Sequence, residues 1–170
     1  VGEREIPISI DLVLRHLRVE DDVEPIELQL ITGYVTAAVE HCADFTRREL
    51  FRQVYRQTQP SSAAVDLRRS PVAEVQSVTV AGDTLPPETY RVDRERWPHV
   101  LLVDSPPAGE MVVEYAAGYT VETLPEQIRQ AVLLLTGHWY EHREEVVIGT
   151  ITAELPMAAK NLMWMQRMEL

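Results

Sequence analysis

Residues 124–144, LPEQIRQAVLLLTGHWYEHRE, decide the fold of this 170-residue chain. They predict one long helix, because a helix-starting signal is followed by the apolar residues 131–135 and then by charged residues. Thr123 and Glu126 have the spacing of a capping box, and Pro125 presets the backbone angle φ for the first turn. Because residues 131–135 are apolar on nearly every side of the helix, other elements should cover it on more than one face.

Two further helices are predicted in the first fifty residues. Ser9 is placed to cap a short helix, and Pro25 opens a longer one. The apolar residues of both recur at three- and four-residue steps, which is the helical spacing: Ile10, Val13, Leu14 and Leu17, then Leu28, Ile31, Val35, Ala38, Cys42 and Phe45. Cys42 lies on this apolar stripe, so we expect it to be a buried hydrophobic residue rather than a reactive thiol.

The pattern changes to strands between residues 54 and 115. Apolar residues alternate with polar or small ones in five short segments, and prolines and glycines separate the segments. Gly82-Asp83 is the best candidate for a hairpin turn. The chain returns to helix at Pro125, and a last helix begins near Pro156.

The predicted fold class is therefore α+β. We expect a helical bundle of two N-terminal helices, one long and one short C-terminal helix, with a small antiparallel β insert. We predict a single domain over residues 1–170, in which residues 1–50 are helical, 51–120 form the β insert, 121–155 the long helix and a loop, and 156–170 a C-terminal tail.

The net charge of −11 comes from 27 acidic and 16 basic residues. This balance opposes tight binding of nucleic acid, because affinity for phosphates depends on lysine and arginine. It suits a surface past which DNA slides without sticking, although an acidic excess is equally typical of a plain soluble protein. No apolar run approaches the roughly 20 residues that span a bilayer, so we expect no membrane partner.

Three parts of the sequence resemble one known family. They are residues 8–19, ISIDLVLRHLRV; residues 71–78, PVAEVQSV, with YRVD at 90–93 and EYAAGY at 114–119; and residues 124–143 followed by Glu154-Leu155-Pro156. In this order they resemble the head–tail connector (adaptor) proteins of tailed phages and of phage-derived gene transfer particles. The chain departs from that family at residues 12–14, which are less polar than usual, and at Arg47, where such proteins often have glycine.

The resemblance implies a structural protein without catalysis or cofactor. Family members assemble as a ring, typically dodecameric, beneath the portal protein, and the ring extends the DNA channel towards a neck or tail-completion protein. Double-stranded DNA would pass through the lumen without specific binding. The resemblance places the protein at the head–tail junction of a virion or phage-like particle that assembles in the bacterial cytoplasm. Another neck or tail-completion ring protein of the same particle is the alternative, and it would lack the portal contact.

The C-terminal tail, residues 156–170, is unusually apolar for a chain terminus. Methionine and tryptophan are adaptable or anchoring residues at interfaces, and in the related family this segment commonly docks on the portal. The candidate docking residues are Met157, Leu162, Met163, Trp164, Met165, Met168 and Leu170. Packing of the tail on its own helical bundle is the alternative.

His138, Glu141 and His142 match the H-x-x-E-H pattern of inverted zinc proteases, which makes a zinc hydrolase a distant third hypothesis. Glu144, Glu145 or Glu154 would have to supply the third ligand. Only 28 residues follow His142, whereas enzymes with this motif are much longer. The family resemblance also accounts for most of the residues of this motif. We therefore predict no catalytic residue and no metal ligand.

Arg48, Arg52 and Arg56 recur at four-residue spacing beside Arg47. If the second helix continued that far, they would form a basic stripe able to contact phosphate. If a strand begins within this segment instead, the arginines do not share one face. Pairing with the surplus acids, within or between subunits, is the preferred interpretation.

Overall fold

The computed structural model describes residues 4–19, 23–142 and 156–168. These residues divide into two compact units. The β unit consists of Phe51–Tyr119 together with Arg4 and Glu5, and the helical unit consists of the described residues in Ile6–Leu50 and Thr120–Glu169.

Four helices make up the described part of the helical unit: α1 (Ile10–Leu17), α2 (Pro25–Thr46), α3 (Glu126–Glu141) and α4 (Met157–Gln166). They confirm the predicted helices. In α3, Ile128, Ala131, Val132, Leu133 and Leu135 are all buried, so the helix is covered on more than one face as expected. Helix α2 contributes Ile31, Val35, Ala38, Val39 and Cys42 to the same interior.

The predicted capping box of α3 is wrong. The Thr123 hydroxyl accepts a hydrogen bond from the Thr120 backbone N–H at 2.8 Å, so it closes the preceding turn instead of capping the helix. The Glu126 carboxylate accepts hydrogen bonds from Arg129 Nε at 3.0 Å and from Gln130 Nε2 at 2.8 Å. Both partners lie one turn ahead, where helical neighbours meet, and this arrangement competes with the backward reach that a capping box needs.

The ends of α1 and α2 agree with the sequence more closely. Ser9 occupies the N-cap position of α1, although its hydroxyl caps none of the described backbone N–H groups. Pro25 is the first residue of α2, as predicted. Helix α2 ends at Arg47 in the left-handed conformation, with φ 58°. A non-glycine residue in this conformation costs roughly 1–2 kcal/mol, which is why the resemblance led us to expect glycine at this position.

Seven strands form the β unit: β1 (Gln53–Pro60), β2 (Ala64–Asp66), β3 (Val72–Val80), β4 (Asp83–Thr84), β5 (Tyr90–Asp93), β6 (Val100–Val103) and β7 (Glu110–Ala117). A short 3₁₀ helix, Pro87–Thr89, precedes β5. The predicted alternation correctly locates strands, and all pairs are antiparallel.

The strands of the β insert form two sheets, a division that the alternating pattern does not predict. One sheet has the order β1-β7-β3-β4, and the other has the order β2-β6-β5. They share one apolar core, to which the first sheet contributes Val78, Val113 and Tyr115 and the second contributes Val65 and Leu101. Alternation shows which side chains point inward, but it does not determine which strand is the hydrogen-bonded neighbour of another.

The predicted hairpin lies one residue earlier than expected. Val80 pairs with Asp83, so the two turn residues are Ala81 and Gly82, and Asp83 already belongs to β4. Both turn residues have positive φ, at 52° and 97°, as the tight turns between twisted strands require.

Candidate docking surface

Helix α4 is apolar on two sides, and only one of them is buried. Ala159 and Met163, four residues apart, are fully buried in the helical unit. On the other side, Met157, Trp164 and Met165 are 78%, 52% and 70% exposed. Their spacing of seven and eight residues places them on one face, which we call the α4 stripe.

The remaining predicted docking residues lie elsewhere. Leu162 and Met168 are half-buried, and Leu170 lies outside the described residues. The Met168 backbone N–H donates to the Thr46 carbonyl at 3.1 Å, and Arg48 Nη2 donates to Met168 Sδ at 3.0 Å. Met168 therefore helps to hold the tail on the end of α2.

A cation and two aromatic rings fix the end of α4. Trp164 meets Phe45 edge to face, with ring centroids 5.3 Å apart. The Arg167 guanidinium lies 4.7 Å from the Trp164 ring centroid and 5.4 Å from that of Phe45. Arg48 Nε also donates to the Gln166 carbonyl at 2.9 Å. From the sequence, Phe45 is predicted only as the last residue of the apolar stripe of α2, and that pattern does not indicate a contact with the tail.

The charge of the segment that carries the α4 stripe differs from that of the chain as a whole, although Glu169 follows this segment directly. Residues 156–168 contain Lys160 and Arg167 and no acidic residue, although the chain carries a net charge of −11. Lys160 is exposed. An apolar, weakly basic helix face is a surface suited to a protein partner with an apolar, acidic groove.

The rings of the two histidines of the H-x-x-E-H pattern lie close together, tilted by 40°. The ring centroids of His138 and His142 are 4.5 Å apart, and His142 Nδ1 donates to the His138 carbonyl at 2.8 Å. Among the residues that the structure describes, no group of three His, Cys, Asp or Glu side chains is placed to hold a metal ion. Glu144, Glu145 and Glu154, the candidate third ligands, lie outside the described residues.

The arginines at positions 47–56 form no helical stripe. Helix α2 ends before Arg47, Arg52 forms an isolated antiparallel bridge with Glu5, and Arg56 lies in β1. Arg56 Nε is 3.7 Å from the Glu114 carboxylate, so this arginine pairs with an acid as expected. Such an exposed pair contributes about 0–1 kcal/mol.

Cys42 is buried in α2 as predicted, and burial raises the pKa of its thiol to about 12. At neutral pH it is therefore a protonated, unreactive thiol. Within the part of the chain that the structure describes, no helix is long and apolar enough to cross a membrane.

Solved structures with the same fold come from gene transfer agent (GTA) particles. The chain is similar to chains in "Neck of empty GTA particle computed with C6 symmetry" (21% identity, TM-score 0.70) and "Virion of native gene transfer agent (GTA) particle" (18%, 0.72); each match covers 96% of this chain and 91% of the other. It is also similar to a chain in "Neck of native GTA particle computed with C12 symmetry" (20%, 0.65), with 99% and 97% covered. At these identities the likeness shows the fold. No curated protein matches the sequence.

The sequence itself matches a family model. The model of the head completion protein family matches residues 15–157, which is most of the chain. This match confirms the resemblance seen in the sequence, and it confirms the expectation of a structural protein rather than an enzyme. The chain belongs to the head completion protein family.

Proposed function

We propose that this protein is a head–tail connector subunit that forms a ring beneath the portal of a tailed phage or phage-like particle. The family match over residues 15–157 carries the proposal. The structural likenesses support a site at the neck of such a particle, because the similar chains come from a GTA virion and from GTA necks. Necks computed with C6 and C12 symmetry support a ring, and twelve copies is the number we propose.

The portal contact is assigned to the α4 stripe. Met157, Trp164 and Met165 offer flexible and aromatic apolar side chains on one helix face, and such residues anchor protein interfaces. Met163 is buried in the bundle, Leu162 and Met168 are half-buried, and Leu170 lies outside the described residues. The tail thus packs on its own bundle through one side and presents the other to the portal.

The ring would extend the DNA channel. Its side facing away from the portal would bind a neck or tail-completion protein. An acidic excess of 27 to 16 residues makes the subunit a poor ligand for phosphates. Double-stranded DNA would therefore move through the lumen without being held, which is what a conduit requires.

Binding to the portal protein tests the portal contact. The variant Met157→Ser/Met165→Ser removes two exposed apolar side chains and leaves the buried Met163 intact. Ile26→Ala is the matched control, because Ile26 is 75% exposed on α2 and lies outside the stripe. We expect the stripe variant to lose co-purification with portal, whereas the control retains it, with circular dichroism showing that both are folded.

Native mass spectrometry of the chain alone and mixed with portal then separates the two neck functions. A connector forms a portal-bound ring. A ring that forms without any portal contact would identify the alternative, a neck or tail-completion protein. A chain that stays outside the particle in which it is expressed would contradict both.

A further inference from the structure

Two loops of the β unit are joined into one surface. They connect β2 to β3 (residues 67–71) and β5 to β6 (residues 94–99). The Leu67 N–H donates to the His99 carbonyl at 2.9 Å, the His99 N–H donates to Ser70 Oγ at 3.1 Å, and the Val72 N–H donates to His99 Nδ1 at 3.0 Å. Because His99 is buried and used at three atoms, the two loops are held together rigidly.

This surface, which we call the arginine loops, is rich in residues that anchor interfaces. Arg68, Arg94 and Arg96 are exposed, and Trp97 is half-buried beside them with its ring 5.4 Å from that of His99. Arg94 Nη2 donates to the Ala73 carbonyl at 3.2 Å, which ties the loops to the start of β3. Arginine and tryptophan are the side chains most enriched at the centres of protein interfaces.

The other end of β3 borders a depression on the solvent face of the first sheet. The depression has a volume of about 290 Å³ and is lined by Arg56, Ser77, Thr79, Glu110, Val112 and Glu114. These side chains alternate with the core residues of the same strands, such as Val78 and Val113, so they occupy the face opposite to the core. Glu110 and Glu114 outnumber Arg56, and Asp83 of the adjoining β4 is exposed.

We propose that the arginine loops of one subunit dock in this depression on the next subunit of the ring. A closed ring needs two different, complementary patches on each copy, because its contacts are heterologous. The β unit supplies them at opposite ends of one strand, with arginines at the start of β3 and glutamates around its end. The inference rests on the proposed ring and assigns its subunit contact.

A second copy fits the arginine loops better than nucleic acid does. Asp66, Asp93 and Glu95 lie among the arginines, and Arg96 Nε is already 3.5 Å from the Asp93 carboxylate. Interleaved acids weaken the field that would attract phosphates, whereas they suit a protein surface that also carries both charges. The depression offers such a surface, since Arg56 and Glu114 pair within it.

Site-specific cross-linking tests the contact directly. Arg96→Cys protein is mixed with Glu110→Cys protein, in the full chain and with portal present, and treated with a short bis-maleimide. The native Cys42 does not compete, because it is buried. The control mixture replaces Glu110→Cys by Glu88→Cys, which is exposed elsewhere in the β unit. We expect the first mixture to form the cross-linked heterodimer about tenfold faster, because docking raises the effective concentration of the two thiols.

Equal rates in the two mixtures would overturn the contact. Charge reversal supplies an independent readout: Arg94→Glu/Arg96→Glu should abolish ring formation, and adding Glu110→Arg to the same chain should partly restore it. If Arg94→Glu/Arg96→Glu leaves the ring intact but lowers retention on double-stranded DNA, the arginine loops bind nucleic acid and the proposal is wrong. Rings that bind portal but do not form the cross-link would refute this subunit contact alone. Failure of the unaltered protein to bind portal would refute the proposed function.

Discussion

The helical unit and the β unit of this protein build their interiors in different ways. In the helical unit, α2 and α3 each bury a run of residues at helical spacing, and α4 adds only Ala159 and Met163. In the β unit, two sheets share one core, and residues far apart in sequence, such as Val65 and Tyr115, belong to the same cluster. We therefore expect a local change to disturb the whole β unit, whereas changes in α4 should affect mainly the packing of that helix.

The largest difference should come from two Gly→Ala variants. Gly118 directly follows β7 at φ 97°, and a Cβ there would overlap the Phe51 carbonyl. A positive φ and a backbone clash together should cost about 2–5 kcal/mol of unfolding free energy in Gly118→Ala. Urea unfolding followed by fluorescence measures this loss.

Gly33→Ala is the matched control in the helical unit. Gly33 lies within α2, and a Cβ there would meet none of the described atoms within 4 Å. Because alanine favours helix over glycine, this variant should be more stable than the unaltered protein by up to about 1 kcal/mol. The comparison fails if both variants change stability in the same direction.

The next largest difference in stability should lie between substitutions on the two sides of α4. Met163 is fully buried, so Met163→Ala should cost about 2–4 kcal/mol through lost burial and a cavity. Met165, two residues later and 70% exposed, should change stability by less than about 0.5 kcal/mol when replaced by alanine. Thermal unfolding of both variants measures the difference, and hydrogen exchange should locate the loss from Met163→Ala in α4. Similar losses in both variants would mean that the stripe is not a free surface.

The sequence patterns predicted where the helices and strands lie better than they predicted how these elements pair and pack. The helices and strands follow from apolar periods of three to four and of two residues, which are set locally. The division into two sheets depends on long-range pairing of strands such as β2 and β6, and no local period encodes it. The capping box was wrong because Thr123 and Glu126 have other partners within reach, and residue spacing alone cannot choose among them.

The candidate site shows the same limit. The many apolar residues at positions 157–168 predicted a tail that forms an interface. In the structure these residues make α4 apolar on both sides. A helical period cannot tell which apolar side meets the bundle, so Met163 in the core and Met165 at the surface looked equivalent. Portal docking of the tail stays a prediction. The arginine loops were missed because the two loops are separated by almost thirty residues in the sequence, and the hydrogen bonds of the buried His99 that join them are not encoded in any local pattern.

The smallest expected effect is a pH dependence confined to the start of α3. The hydrogen bond from Gln130, followed by that from Arg129, lowers the pKa of Glu126 below its usual value. A carboxyl group whose pKa is lower in the folded than in the unfolded chain stabilises the fold above its unfolded pKa, and this contribution disappears as the pH falls through the folded pKa. Glu126→Gln should therefore lower the melting temperature slightly at neutral pH, and the two proteins should converge in acid. Gln130→Ala, which removes the largest cause of the pKa shift, should reproduce this convergence. A gap in melting temperature that persists unchanged at low pH would show that Glu126 acts through its packing rather than its charge.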